Sequence, residues 1–166
     1  MEEKIILVDK NDKEIGICEK MKAHKEALLH RAFSIYIFND KDELLLQQRA
    51  FSKYHSGGLW SNTCCSHPRE NESLEHAIHR RLKEEMGFDC DLEEIKEFIY
   101  KVELDHGLTE YEYLHVYKGI YNKDVNINKE EVENYKWEKL EQVKKDIEKH
   151  KDNYTYWFKE TINKIF

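Results

Sequence analysis

Carboxylates that could hold a metal ion occur at two places in the sequence. Glu110 and Glu112 alternate within a segment that reads as a strand, so both side chains point to one face. Glu84 and Glu85 are adjacent and come just before Gly87, at the end of a segment with helical periodicity. Carboxylate oxygens are the ligands that Mg²⁺ prefers, usually together with water and substrate phosphate. The pattern indicates metal chemistry, although a solvated Glu-rich surface would explain the helix end equally well.

Cysteine and histidine supply the other reactive side chains. Cys64 and Cys65 are neighbours, and on a strand they must point in opposite directions, so at most one faces a given pocket. We interpret Cys64 as a small buried apolar side chain. Of the nine histidines, six have no partner at a metal-binding spacing, and we expect most of these at the surface: His55, His76, His79, His106, His115 and His150.

One helix is predicted with particular clarity. Apolar residues recur at helical spacing between a capping Ser73 and a terminating Gly87: Leu74, Ala77, Ile78 and Leu82. Strands are predicted at Ile5–Val8, Glu14–Cys18, Phe33–Phe38, Leu44–Gln47, Glu97–Leu104, Glu110–Tyr121 and Val132–Trp137. Lys20–Leu29 reads as helical or irregular, and the helices Leu140–Lys149 and Tyr154–Ile165 end the chain. Aromatic residues expected in the core or the pocket wall are Tyr36, Phe51 and Trp60.

The mixture of strands and helices predicts a single α+β domain of 166 residues. A net charge of −7 argues against a nucleic-acid partner, whose phosphates need a basic face, but allows a small anionic ligand. No apolar run has the length of a membrane span, and the first residues lack the features of a signal peptide. The cysteines form no Cys-x-x-Cys pair. We therefore expect a cytoplasmic protein without a membrane partner, either a monomer or a homodimer.

The segment from Ser66 to Phe88 resembles the Nudix box. The matching positions are Glu72, Arg80, Leu82, Glu84, Glu85 and Gly87. Two positions depart, because Ser66 replaces the first glycine and Arg81 replaces a glutamate that Nudix hydrolases generally use to hold metal. The resemblance implies a layered α/β/α sandwich with a mixed sheet and a Nudix core of about residues 28–160. The missing glutamate argues against diphosphate hydrolysis, and Arg81 could contact a phosphate instead.

Further motifs resemble the type 1 isopentenyl-diphosphate isomerases over about residues 5–160. The diagnostic segment, Trp60–Pro68, has the form Trp-x-Asn-x-x-Cys-x-His-Pro. Other matching motifs lie in the same order, at Lys20–His24, His30–Ser34, Gln48–Lys53 and Glu110–Glu112. This resemblance implies an isomerase that interconverts isopentenyl and dimethylallyl diphosphate in isoprenoid biosynthesis. The reaction is a metal-assisted 1,3-allylic proton shift through a tertiary carbocation.

The resemblance also implies two metal sites. A divalent ion, Mn²⁺, Zn²⁺ or Mg²⁺, would be held by three imidazoles and two carboxylates: His24, His30, His67, Glu110 and Glu112. Mg²⁺ would bind at Glu85 together with the substrate diphosphate. Without the resemblance, each of these histidines would be read as structural or exposed.

Four catalytic residues are expected by the same resemblance: Cys65, Glu112, Tyr100 and Trp157. Cys65 and Glu112 would transfer the two protons, and the sequence leaves open which of them is the donor. Trp157 would stabilise the carbocation by about 2 kcal/mol. No proline lies near Trp157, so the register of its segment is open by one or two residues. The cations expected to bind the diphosphate are Lys20, Arg49, Lys53 and Arg81.

Two other functions remain open at this point. A Nudix hydrolase would share the fold and the magnesium site but would have no use for Cys65. A metal- or ligand-binding domain without catalytic activity would tolerate substitution of Cys65 or Glu112.

Overall fold

The computed structural model describes residues 3–166, which form nine strands and four α-helices. The strands are β1 Lys4–Val8, β2 Glu14–Glu19, β3 His30–Phe38, β4 Glu43–Arg49, β5 Trp60–Ser61, β6 Cys64–Ser66, β7 Glu93–Glu103, β8 Thr109–Ile120 and β9 Val132–Lys139. The helices are α1 Lys20–Lys25, α2 Leu74–Met86, α3 Leu140–Lys149 and α4 Tyr156–Ile165. All seven strands predicted from the sequence are confirmed within a few residues. The short strands β5 and β6 were not predicted, because two or three residues are too few to show a period.

Strand β3 lies at the centre of a mixed sheet. It runs parallel to β8, with His30 opposite Glu112, and antiparallel to β1, β4 and β6. Strand β7 pairs with the far side of β8, and β9 pairs with β4. The predicted α+β fold with a mixed sheet is therefore confirmed. Its topology brings the ends of β3, β6 and β8 together.

Two hydrophobic clusters cover the two faces of this sheet. Alternate residues of β3 enter different clusters, because successive strand side chains point to opposite faces. Phe33 and Ile35 pack with Ile78 of α2, whereas Tyr36 packs with Phe158 of α4. The layers are thus α2, the sheet, and the two C-terminal helices. Their order also separates the adjacent cysteines, because Cys64 packs on the α2 side and Cys65 on the other side.

Helix α2 begins and ends where the sequence predicts. The Ser73 hydroxyl accepts a hydrogen bond from the His76 backbone N–H at 3.1 Å. Gly87 ends the helix with φ of 74°, and an added Cβ would lie 2.1 Å from the Asn126 carbonyl oxygen. Only glycine fits both the backbone conformation and this close approach.

An ion pair ties α2 to the segment before it. Arg80 binds Glu72 through two hydrogen bonds of 2.6 and 2.8 Å. The Arg80 guanidinium lowers the pKa of Glu72 to about 2, so this carboxylate stays ionised. The pair links the segment before α2 to the second turn of the helix, next to Arg81.

Phe51 was expected in the core or the pocket wall, and this expectation is wrong. Phe51 is 69% exposed, because it lies in the irregular segment after β4 instead of on the sheet. Of the six histidines without a metal-binding spacing, four lie outside the core, as expected for most of them. His55 and His115 are buried, at 4% and 5% exposure, since tertiary contacts give them partners that sequence spacing cannot reveal. Helix α4 begins at Tyr156, two residues later than predicted. Within residues 3–166, no helix combines the length and the apolar character that crossing a membrane requires.

Candidate active site

One cavity collects nearly all of the site residues predicted from the sequence. Its lining includes the four predicted catalytic residues, Cys65, Tyr100, Glu112 and Trp157. It also includes the four cations predicted to bind diphosphate, Lys20, Arg49, Lys53 and Arg81. Four predicted metal ligands line it too, namely His67, Glu85, Glu110 and again Glu112. The remaining predicted ligands, His24 and His30, are completely buried and lie directly behind Glu110 and Glu112. They lie outside the lining and contact the carboxylates at that end from behind.

The predicted three-histidine, two-carboxylate set converges at this end of the cavity. His24 Nε2 lies 2.8 Å from Glu110 Oε1, and His30 Nε2 lies 3.4 Å from Glu112 Oε2. The His67 ring centroid is 6.3 Å from that of His24 and 5.8 Å from that of His30. The parallel pairing of β3 with β8 sets the contact between His30 and Glu112, whereas α1 carries His24. We call these five residues the histidine–carboxylate cluster.

The tautomers of two histidines in this cluster are set by backbone carbonyls. Nδ1 of His24 lies 2.6 Å from the Lys20 carbonyl oxygen, and Nδ1 of His30 lies 2.9 Å from that of Leu28. A carbonyl oxygen only accepts, so both Nδ1 atoms must donate. In a neutral imidazole the lone pair is then on Nε2, which in both rings faces Glu110 or Glu112. A lone pair and a carboxylate repel each other unless a proton or a metal ion lies between them, and hydrogen bonds from Nδ1 to a carbonyl oxygen are typical of metal-ligating histidines.

Unpaired polar atoms support the same conclusion. His30 Nε2, His67 Nδ1 and Glu110 Oε2 are buried without a hydrogen-bond partner. Burial and the neighbouring Glu110 carboxylate raise the pKa of Glu112. Burial also opposes the charge of Glu110, but its hydrogen bond with His24 keeps the pKa of this group low. The residues of the cluster therefore fit a divalent ion, which would satisfy the unpaired atoms and neutralise the two carboxylates.

The thiol of Cys65 is held at the cavity by Asn62. The Asn62 side-chain nitrogen donates to the carbonyl oxygens of Ile35 at 3.0 Å and Cys64 at 3.2 Å. Its oxygen must therefore face Cys65, and it accepts a hydrogen bond from Sγ at 2.9 Å. Burial raises the pKa of Cys65 to about 12, so the thiol is the resting form. Cys64 points away and donates to Glu85, as strand alternation predicts.

Tyr100 and Trp157 lie beside these reactive groups. The Tyr100 hydroxyl, which β7 places next to β8, donates a hydrogen bond to Glu112 Oε1. Trp157 on α4 lines the cavity, whereas its neighbour Tyr156 is 37% exposed and Phe158 belongs to the core. The Arg49 guanidinium lies 5.0 Å from the Trp157 ring centroid, and the His55 ring meets the indole at 88°. The register of this segment thus brings Trp157 itself to the cavity.

Glu85, which lines the same cavity, is already fully paired. Its Oε1 accepts from Gln47 at 2.9 Å, and its Oε2 accepts from Arg81 at 2.7 Å and from Cys64 at 3.4 Å. Arg81, which replaces the usual glutamate of the Nudix box, therefore forms an ion pair with Glu85. A magnesium ion here would have to share Glu85 with Arg81, and it would depend on phosphate oxygens for further ligands.

Sequence reasoning missed several residues of the cavity and its surroundings. Tyr54, His55 and Ser66 line it, and Glu131 binds two of its cations from outside the lining. Burial and the Arg49 charge lower the pKa of His55 to about 3, so this ring is neutral. These residues lie in irregular segments or at strand ends, where no periodicity identifies the side that faces the site.

Comparisons with known proteins agree with this fold and site. Residues 28–158 match the NUDIX domain family. The chain is 52% identical to "Isopentenyl-diphosphate Delta-isomerase 2" of Photorhabdus laumondii, over 98% of this chain and 92% of that protein. It is 48% identical to an "Isopentenyl-diphosphate Delta-isomerase" of Burkholderia multivorans, over 95% of this chain and 90% of the relative.

Solved structures with low sequence identity share the fold alone. The crystal structure of DR0079 from Deinococcus radiodurans superimposes with a TM-score of 0.82 at 15% identity, covering 99% of both chains. A MutT protein from Methanosarcina mazei gives a TM-score of 0.67 at 21% identity, covering 82% of this chain and 92% of that one. The layered sandwich is thus a fold that this chain shares with proteins of very different sequence.

The fold and the match to the domain define the class of protein as Nudix. About half of the residues are identical to those of the two named relatives over nearly the full length of the chain. The chain therefore belongs to the isopentenyl-diphosphate Delta-isomerase family within the Nudix superfamily. The family resemblance read from the sequence is confirmed.

Proposed function

We propose that the chain interconverts isopentenyl diphosphate and dimethylallyl diphosphate, with Cys65 and Glu112 as the two proton-transfer groups. The observation that carries the proposal is their placement. Both line one cavity, to which four basic side chains also contribute. A Nudix hydrolase has no need for a thiol and a carboxylate in one cavity, whereas an allylic shift needs two proton-transfer groups.

The reaction moves one double bond and exchanges two protons. One group gives a proton to the terminal alkene carbon, and the electrons of the double bond form the new C–H bond. The tertiary carbocation that results loses a proton from the carbon on its other side, and the electrons of that C–H bond form the new double bond. One of Cys65 and Glu112 must therefore begin protonated and the other ionised, and a turnover exchanges their states.

Tyr100 acts on a proton-transfer group, and Trp157 acts on the carbocation. The Tyr100 hydroxyl donates to Glu112 and fixes the orientation of its carboxyl group. Trp157 offers an aromatic face to the carbocation, which a desolvated contact stabilises by about 2 kcal/mol. Because Arg49 already lies 5.0 Å from the ring centroid, we expect the carbocation at the opposite face of the indole.

The diphosphate lies in this proposal among Lys20, Arg49, Lys53 and Arg81, which line the same cavity. Arg49 and Arg81 each keep a buried Nε without a hydrogen-bond partner. Charged donors of this kind form short, strong hydrogen bonds with phosphate oxygens. With the phosphates at these cations, the hydrocarbon part of the substrate extends towards Cys65 and Glu112.

Two ions complete the proposal. A divalent ion in the histidine–carboxylate cluster would offset the charges of Glu110 and Glu112 and restrain Glu112 at the cavity wall. Mg²⁺ at Glu85 would accompany the substrate diphosphate, in competition with Arg81. Which ion the cluster selects depends on metal supply as much as on its imidazole and carboxylate ligands. All four cysteines are free thiols, which supports our inference of a reducing, cytoplasmic location.

Incubation with isopentenyl diphosphate and Mg²⁺ in D₂O tests the proposal directly. NMR should show dimethylallyl diphosphate that carries deuterium at the carbon that received the proton. Release of inorganic phosphate without deuterium incorporation would instead identify a hydrolase, and no reaction with any metal supplied would contradict the assignment of an enzyme.

A further inference from the structure

Four basic side chains, Lys20, Arg49, Lys53 and Arg81, line one cavity and must be held in position there. Their like charges repel one another, and lysine and arginine side chains have many rotamers. Lys53 in particular comes from the irregular segment after β4, not from a helix or a strand. A diphosphate site with these residues needs something to keep the cations close together before the ligand arrives.

Glu131 provides such a contact for two of them. Its Oε2 accepts a hydrogen bond from Lys53 Nζ and lies 3.4 Å from Arg81 Nη2. The three side chains are between 14% and 26% exposed, so water only partly screens the contact. Glu131 itself is absent from the cavity lining. The carboxylate thus binds two cations that line the cavity without lining the cavity itself.

The backbone holds Glu131 firmly in this place. Its N–H donates to the Asn128 carbonyl oxygen at 2.9 Å, and its carbonyl oxygen accepts from the Ala50 N–H at 3.1 Å. The next residue, Val132, pairs with Arg49 at the start of the β4–β9 ladder. Glu131 is therefore fixed to the same backbone segment that carries Arg49 and leads to Lys53.

The two cations depend on Glu131 to different degrees. Arg81 also binds Glu84 and Glu85, each at 2.7 Å, so it keeps anionic partners without Glu131. For Lys53, Glu131 is the one ion-pair or hydrogen-bond partner of its ammonium group within residues 3–166. Although burial opposes its charge, Lys53 and Arg81 keep the pKa of Glu131 low, so its carboxylate is ionised.

We infer that Glu131 is a positioning residue for the diphosphate: it holds Lys53, and to a smaller extent Arg81, where the phosphate oxygens bind. The inference rests on the proposed function, because it assigns the diphosphate to these cations. Glu131 does not touch the reacting carbons, so its effect should appear in binding and in KM, while kcat stays nearly constant.

The decisive variant is Glu131→Asp, which keeps the charge and shortens the side chain by one methylene. We expect it to raise both the KM for isopentenyl diphosphate and the Kd for inorganic diphosphate with Mg²⁺ by about tenfold, since Lys53 regains its rotamers. kcat should change by less than about twofold. Glu130→Asp, an exposed neighbour with the same chemical change, should behave as the wild type.

A double-mutant cycle separates positioning from other effects. In a Lys53→Ala background, Glu131→Asp should raise the Kd by less than about threefold, because most of its effect acts through Lys53. Calorimetry with inorganic diphosphate measures this without turnover, so it gives a result even if the isomerase reaction fails. Deuterium incorporation by the wild type tests the proposed function separately.

Three results would overturn the inference. The first is unchanged diphosphate affinity in folded Glu131→Asp, and the second is equal effects of this variant with and without Lys53. The third is tighter binding in Glu131→Gln, which would mean that Glu131 acts only by repelling the ligand. If Glu131→Asp fails to fold, Glu131→Gln decides, with weaker binding supporting the inference and unchanged or tighter binding overturning it.

Discussion

Two histidine–carboxylate groupings lie on opposite faces of strand β8, and only one of them has the features of a metal site. Glu110 and Glu112 point to the cavity, where they meet His24 and His30, whereas His115 points to the other face. In each grouping, three ligand atoms lie within 4.8 Å of one another: those of His24, His30 and Glu110, and those of Glu94, Glu97 and His115. Proximity alone therefore does not distinguish them.

Hydrogen bonding distinguishes them clearly. His115 Nδ1 lies 2.8 Å from Glu94, and its Nε2 lies 2.8 Å from Asp12, which Arg31 binds in turn. Both ring nitrogens thus have anionic partners, and the side chains of Glu94 and Glu97 are 38% and 49% exposed. In the histidine–carboxylate cluster, the carboxylates are about 10% exposed and three ligand atoms have no partner. Unsatisfied buried ligands, and not residue types, identify the candidate site.

The largest effect is expected from the proton-transfer groups of the cavity. Glu112→Gln and Cys65→Ala should each lower kcat by about 10²–10⁴-fold, because each removes a proton carrier. Both variants should remain folded and should still bind diphosphate, as circular dichroism and calorimetry can verify. His115→Gln, on the opposite face, should keep wild-type activity. Full turnover by either cavity variant would contradict the proposed mechanism.

Metal content gives the next largest difference between the two groupings. His67→Ala and His24→Ala should lose the ion of the histidine–carboxylate cluster, as elemental analysis of the purified protein can show. In the wild type, a chelator should lower the unfolding free energy by about 3–4 kcal/mol if the ion is present at 100–1,000 times its Kd. His115→Gln should retain the wild-type metal content. A loss of one ion in His115→Gln would show that its grouping is also a metal site.

A stability effect without a functional effect is expected for His115. Replacement by Gln removes an imidazole that bridges Asp12 and Glu94 in a nearly buried position. We expect a loss of about 1–3 kcal/mol in the free energy of unfolding, since a buried ring loses its hydrogen bonds to two charged groups. Urea denaturation measures the change, and His150→Gln, at an exposed position, is the control. A stable His115→Gln protein would mean that the ion network adds little to the fold.

The Glu72–Arg80 pair provides the smallest and most pH-dependent effect. The pKa of Glu72 is about 2 in the folded protein against an ordinary 4.5, so its contribution is present above about pH 4.5 and is lost as pH falls through 2. Because solvent screens part of the pair, we expect Glu72→Gln to cost about 1 kcal/mol at pH 7. The difference from the wild type should shrink in acid unfolding curves towards pH 2. A constant difference across that range would show that the carboxylate charge is not the cause.

The sequence by itself determined the fold class, the main elements and most of the residues that line the candidate active site. Apolar periodicity fixed α2 and the longer strands, because these patterns depend only on which side chains must be buried. The spacing of Trp60, Asn62, Cys65 and His67 indicated the isomerase family, and strand alternation separated Cys64 from Cys65. Local rules of this kind apply to a segment regardless of how the rest of the chain folds.

Only the tertiary structure decided which polar and charged side chains contact each other. The pairing of β3 with β8 brings His30 to Glu112, the hydrogen bonds of Asn62 orient the thiol of Cys65, and the β4–β9 ladder brings Glu131 to Lys53. It also showed that His55 and His115 are buried and that Phe51 is exposed. Contacts between residues that are distant in sequence leave no periodic pattern, because they depend on how the elements pack and not on the residues next to them.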